Sequence, residues 1–172
     1  MPAAPDRFSF LGREFLTWLW FESERNNGAV AAGESGEVRI EFAQKLSLET
    51  GGNVREGSTV SAEAPAQAEE ARTALRVGKK VARARLVLGV GDREFQLGLD
   101  AETLAVSNAK LPTQLGVRDA EGQDERLQLL DELEAVVDNL YLSFVQLRRD
   151  EQAWAPVREA MRAWVAAPVA SL

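Results

Sequence analysis

Residues 81–100 read VARARLVLGVGDREFQLGLD. Val81, Arg83, Arg85 and Val87 alternate with Ala82, Ala84, Leu86 and Leu88, the period of two that puts neighbouring side chains on opposite faces of a strand. Gly89-Val90-Gly91-Asp92 has the composition of a turn. Glu94–Asp100 then returns with Phe95, Leu97 and Leu99 on one face. Two alternating runs across a short glycine turn predict an antiparallel hairpin. The strands here follow one another directly instead of alternating with helices, which points away from a doubly wound fold.

Working back from the hairpin, Ala66–Val77 reads as a short helix with Pro65 in its first turn and Gly78 as its cap. Glu69 and Glu70 lie early in it and Arg72 and Arg76 late, as the helix dipole favours. Val38, Ile40 and Phe42 alternate with Glu37, Arg39 and Glu41, and Leu46 and Leu48 continue that strand across a bulge. Gly51-Gly52-Asn53 forms a turn into a weaker strand over Val54–Ala62, and residues 28–36 read as a loop. Phe10–Arg25 is the first helix, stopped by Asn26-Asn27-Gly28. Leu11, Phe15, Trp18 and Leu19 form its apolar stripe, and Leu16, Trp20 and Phe21 widen that stripe enough to suggest burial against both core and partner. Residues 1–8 are expected to be a flexible lead-in.

Working forward, Leu104 and Val106 suggest one more edge strand before Lys110-Leu111-Pro112, and residues 113–123 read as a polar linker. Asp124–Arg149 is a long helix in which Leu130, Leu133, Val137, Leu140, Phe144 and Leu147 step by three and four. A break is expected at 150–153, then a short helix with Pro156 in its first turn and Val157, Met161, Trp164 and Val165 on its apolar face, ended by Pro168. The whole predicts an α+β fold: one domain over residues 9–168, a mostly antiparallel sheet of about five strands, flanking helices and a long C-terminal helix.

A chain of 172 residues suits one domain with a sizeable core. It contains no cysteine and no histidine, which removes disulfides, thiolate nucleophiles, Cys or His zinc sites and histidine-based catalysis. The expectation is a binding protein and not an enzyme, with no cofactor, no metal and no small-molecule substrate. The net charge of −7 argues against indiscriminate binding of polyanions and leaves room for a local basic stripe. The start Met1-Pro2-Ala3-Ala4-Pro5-Asp6 lacks a basic segment followed by an apolar run, and no apolar run reaches the ~18 residues of a membrane span. A cytoplasmic location without membrane association is expected.

Residues 72–85 hold such a stripe: Arg72, Arg76, Lys79, Lys80, Arg83 and Arg85 are six of the chain's 20 bases, and none of its 27 acids falls among them. They are candidate phosphate contacts, or else a solvated face paired with nearby acids and with the helix C-terminus. Trp18, Trp20 and Phe21, with Leu140, Phe144 and Leu147, are candidates for an interface with a second copy or another protein, or else core. Gly89-Val90-Gly91-Asp92 lacks the helix and Lys-Ser/Thr of a phosphate loop and reads as a hairpin turn. Asp131, Glu132, Glu134 and Asp138 are better explained by a solvated helix face than by a cation site.

The stretch Phe10-Leu11-Gly12-Arg13-Glu14-Phe15-Leu16-Thr17-Trp18-Leu19-Trp20-Phe21 resembles the start of the C-terminal half of recombination-associated protein RdgC. The order that follows is similar: Gly78-Lys79-Lys80-Val81, the strand Ala84–Leu88, the strand Phe95–Leu99, Lys110-Leu111-Pro112, and the helix from Leu129 through Leu140-Tyr141. The resemblance covers roughly residues 9–150, and the family's N-terminal half has no counterpart in it. It implies a non-enzymatic, nucleoid-associated protein that binds duplex DNA without strong sequence preference. Family members form ring-like dimers and restrain strand exchange in recombination. By this likeness Lys79, Lys80 and their basic neighbours are candidate phosphate contacts. The alternative expectation is a homo-oligomerisation or protein-interaction module that binds no DNA.

Overall fold

The computed structural model describes residues 9–49, 57–60, 69–114 and 120–168. The expected lead-in (1–8), the Gly51-Gly52-Asn53 turn, Pro65 with the first turn of its helix, and residues 115–119 of the linker lie outside the described residues. In chain order the elements are α1 (Ser9–Arg25), β1 (Ala29–Ala31), a short 3-10 turn (Gly33–Ser35), β2 (Glu37–Glu49), β3 (Gly57–Val60), α2 (Glu69–Arg76), β4 (Lys80–Val90), β5 (Arg93–Asp100), β6 (Val106–Lys110), α3 (Ala120–Arg149) and α4 (Glu151–Ala166). The fold is α+β, with one six-stranded sheet in the order β1-β2-β4-β5-β6 and β3 paired to β2. Every strand pair is antiparallel.

The β4–β5 hairpin forms as the alternation predicts, with Leu86 opposite Leu97 and Leu88 opposite Phe95. Its turn is Gly91-Asp92, with Gly91 at φ 61°, the first central position, where a tight hairpin turn accepts glycine. The bulge expected in β2 is present as a register shift between Phe42 and Leu46. A second shift, between Ser47 and Leu48, leaves Ala82 as the extra residue in β4, so Val81 turns into the core opposite Leu48 although simple alternation groups it with the exposed Arg83.

Three boundaries differ from the sequence reading. The 28–36 loop contains β1, whose Val30 pairs with Val38 and is buried; three residues are too few for a periodic signal. The polar stretch 120–123 belongs to α3 and not to a linker. The break before the last helix shrinks to Asp150, so Pro156 lies inside α4 and not in its first turn. Asp150 caps α4, its carboxylate accepting from the backbone of Gln152 (3.0 Å) and Ala153 (3.1 Å). Trp154 is then buried edge-on against Phe144 at 5.9 Å, anchoring the new helix to α3.

The core lies on one face of the sheet. Alternate residues of β2, β4 and β5 (Val38, Ile40, Phe42; Ala84, Leu86, Leu88; Phe95, Leu97, Leu99) are buried there. Helix α1 packs along β4 and touches β1, β2, α3 and α4. Trp20 meets Phe42 of the sheet and Trp164 of α4, while Phe15 meets Tyr141 and Phe144 of α3. The wide apolar face of α1 is thus buried on two sides within the chain itself. Thr17 ties α1 to β4: its hydroxyl donates to the Arg13 carbonyl (2.8 Å) and accepts from the Val81 amide (3.1 Å). Glu14 adds a second tie, bridging Lys80 of β4 (3.2 Å) and Arg148 of α3 (3.0 Å).

Candidate phosphate-binding face

The other face of the sheet is open. Arg39, Glu41 and Arg83 are exposed on it, and Arg85, Val87, Gln96 and Gly98 are half-buried. Antiparallel pairing sets these positions in rows across the strands: Arg39 opposite Gly89, Glu41 opposite Val87, Arg85 opposite Gly98, and Ser47 opposite Arg83, itself opposite Asp100. A groove of about 540 Å³ runs over this face, lined among others by Ser47, Arg83, Arg85, Asp100, Ser107 and Asn108. Among the described residues two arginines and one carboxylate line it, on a chain of net charge −7, and Glu49 and Glu102 also act on Arg83 from nearby.

Asp100 holds Arg83 at 2.8 Å. Burial opposes ionisation of Asp100, but the hydrogen bond from Arg83 and those from Thr103 and the Glu102 amide outweigh it, and its carboxyl lies below the ordinary value. The same side-chain hydrogen bond, and the negative charge behind it, raise the Arg83 guanidinium. Asp100 also shapes the turn into β6: its Oδ1 accepts from the backbone of Glu102 (2.9 Å) and Thr103 (3.2 Å). Arg85, two residues from Arg83 on the same face, has no hydrogen-bond or ion-pair partner among the described residues.

The six basic residues of 72–85 are therefore divided. Arg72 is only 5 % exposed. Its guanidinium pairs with Glu24 (2.5 Å), donates to the Trp164 carbonyl and lies 3.8 Å from the centroid of the Trp164 ring. Arg76 donates to the Val165 (3.1 Å) and Ala167 (2.9 Å) carbonyls at the end of α4 and pairs with Glu69. Lys80 is held by Glu14, and Lys79 is half-buried with a partner of its own. Only Arg83 and Arg85 of the six line the groove. Alternation along 81–88 put these two on one face from sequence alone. That Arg72 points inward depends on Glu24 and Trp164, distant in the chain, and had no local signal.

The interface candidates pack the chain's own core. Trp18, Trp20, Phe21, Leu140 and Phe144 are buried, and Leu147 is half-buried against the same cluster. On α3, Glu132 pairs with Arg93, while Asp131, Glu134 and Asp138 are exposed. Among the described residues no three acidic side chains come together in a way that would hold a metal ion, and no helix is long and apolar enough to cross a membrane.

Sequence reasoning missed Ser47, Gly98, Ser107 and Asn108 as groove residues. Asn108 falls where the β5–β6 register shifts between Gln96 and Gly98, and its φ is 50°. Asn tolerates that left-handed conformation better than most residues, but an isolated Asn in a polar edge strand gives no sequence signal of a bulge. No protein-family model matches the chain, and no curated protein matches it.

Proposed function

We propose that this chain is a non-catalytic, DNA-associated protein, related to the C-terminal domain of recombination-associated protein RdgC, that meets the phosphate backbone with the open face of its sheet. The observation that carries the reading is the groove with Arg83 and Arg85 on its wall, where Arg85 has no internal partner among the described residues. Phosphate contact needs a cation free to exchange counterions for the backbone. The other four bases of the stripe are engaged within the fold and do not line the groove, so the contact is assigned to Arg85, with Arg83, itself paired with Asp100, beside it. Cytoplasmic, nucleoid-associated work on DNA during recombination belongs to the same proposal.

The test is fluorescence anisotropy of the purified protein with short duplex and single-stranded DNA at about 50 and 200 mM salt. The expected result is salt-sensitive binding, with a log–log slope of about −0.9 for each phosphate neutralised. Replacing Arg83 and Arg85 with Glu should weaken binding uniformly across sequences. The Lys79→Glu/Lys80→Glu pair should weaken it less, since Lys80 serves Glu14. Absence of binding at the lower salt, or unchanged binding in the Arg83/Arg85 variant, overturns the reading.

A further inference from the structure

One row of the open face has a gap in its middle. Arg85 of β4, Gly98 of β5 and Ser107 of β6 are direct partners across three adjacent strands. Neighbouring strands lie about 4.8 Å apart, so Arg85 and Ser107 stand roughly 10 Å apart across a residue with no side chain. The Ser107 hydroxyl leans over that gap. A Cβ added at Gly98 would lie 2.6 Å from the Ser107 Oγ, which makes only a long bond of 3.4 Å to the Gly98 carbonyl. A hydroxyl held so weakly is easily turned to a better acceptor. Beside it Asn108, in its left-handed conformation at the register shift, also lines the groove. Bulges of this kind re-aim side chains next to functional sites.

The charge in the groove is not spread evenly. Arg83 and Asp100 form a pair, which leaves Arg85 as the groove cation without a partner among the described residues, facing neutral donors. A guanidinium opposite a hydroxyl and an amide across an unobstructed floor suits a tetrahedral oxyanion. Among the described residues no aromatic ring lines the groove, so they give bases nothing to stack on, and the element they suit is the phosphate ester itself.

We propose that the slot between Arg85 and Ser107, floored by Gly98, binds one phosphate-ester group, with Arg85 as the primary contact and Ser107 and Asn108 as neutral donors. This rests on the reading of the open face as a phosphate-binding surface and narrows it to one place. The phosphate can belong to a nucleic-acid backbone or to a free nucleotide; the two sources present the same chemistry to the slot.

The test is an NMR titration of the ¹⁵N-labelled full chain with inorganic phosphate and with a nucleoside monophosphate, beside anisotropy with a short duplex at low salt. Saturable shifts confined to the neighbourhood of Arg85, Gly98, Ser107 and Asn108 are expected. Arg85→Gln should weaken each ligand by about tenfold, the size of one charged hydrogen bond. Ser107→Ala should weaken each by a smaller factor, with the spectrum otherwise retained in both variants. Duplex binding that is unaffected by Arg85→Gln overturns the slot and leaves the DNA reading standing. Binding of phosphate and nucleotide at the slot without duplex binding supports the slot and overturns the DNA reading. Shifts scattered over the surface, or no shifts, overturn the slot whatever the duplex does.

Discussion

Gly12 of α1 sits so close to Ala101 that a Cβ built on it would lie 1.6 Å from the Ala101 carbonyl oxygen. Ala101, in the turn just after β5, is itself held by its amide to the Ala82 carbonyl of β4 at 2.8 Å, so the obstructing atom is backbone tied to the sheet and cannot step aside as a side-chain tip would. Glycine at position 12 is what lets α1 press its start onto the end of β5. Next to it Arg13 pairs with Glu49 of β2 and Glu102 of the β5–β6 turn, fastening the same contact.

Gly12→Ala should therefore destabilise the protein, against the usual rule that alanine improves a helix. Overpacking of this kind costs typically 1–3 kcal/mol, and the backbone contact puts this site at the upper end, about 3 kcal/mol. Urea denaturation measures it, and an unchanged or raised midpoint would show that α1 does not press on Ala101.

Arg72 and Arg76 are neighbours on α2 with unequal weight. Arg72 is buried between Glu24 and the Trp164 ring, whereas Arg76 sits at the surface. Removing one partner of a buried charged pair costs up to 3–5 kcal/mol. Glu24 keeps some access to water, so Arg72→Ala should cost about 2–3 kcal/mol. Arg76→Ala should cost about 1 kcal/mol or less. Chemical denaturation of the two variants checks the order, which a purely solvated basic stripe would not produce.

Asp100 makes part of the stability acid-sensitive. Its carboxyl is lowered in the folded protein, since the bonds from Arg83, Thr103 and the Glu102 amide outweigh the effect of burial. A lowered folded value means the folded state favours the ionised form. The contribution is complete above the ordinary carboxylate range and is lost as pH falls through the folded value. The stability gap between wild type and Asp100→Asn should be present at neutral pH and shrink progressively as pH falls below the ordinary carboxylate range. A gap that widened in acid would reverse the sign.

Asp150 holds the junction between the last two helices through two backbone amides. Asp150→Ala should lower stability by about 1 kcal/mol, the usual worth of an N-cap. Helix content by circular dichroism should stay nearly constant, because Trp154 still anchors α4 against Phe144.

Leu140 distinguishes core from interface for the α3 seam. It is 1 % exposed within the chain. Leu140→Ala should cost about 2–5 kcal/mol, by the same amount at micromolar and at tenfold higher protein concentration. A cost that depended on concentration would place the seam between copies.

Periodicity and punctuation were enough to settle the α+β class, the hairpin of residues 81–100, the first helix and the α3 seam from Leu133 to Phe144, because each rests on side chains a few positions apart; at the start of that seam Leu129 is buried in the core in place of Leu130. Val30 and the strand around it escaped that reading, since three residues have no period. Asp150 escaped as a cap because Pro156 offered a more familiar first turn. The fates of the basic residues were decided only in three dimensions. Arg72 is buried by groups 48 and 92 positions away, while Arg85, on the open face of the sheet, has no partner among the described residues. Local alternation assigns a residue to a face; whether its charge is neutralised there depends on which distant elements the fold brings against it.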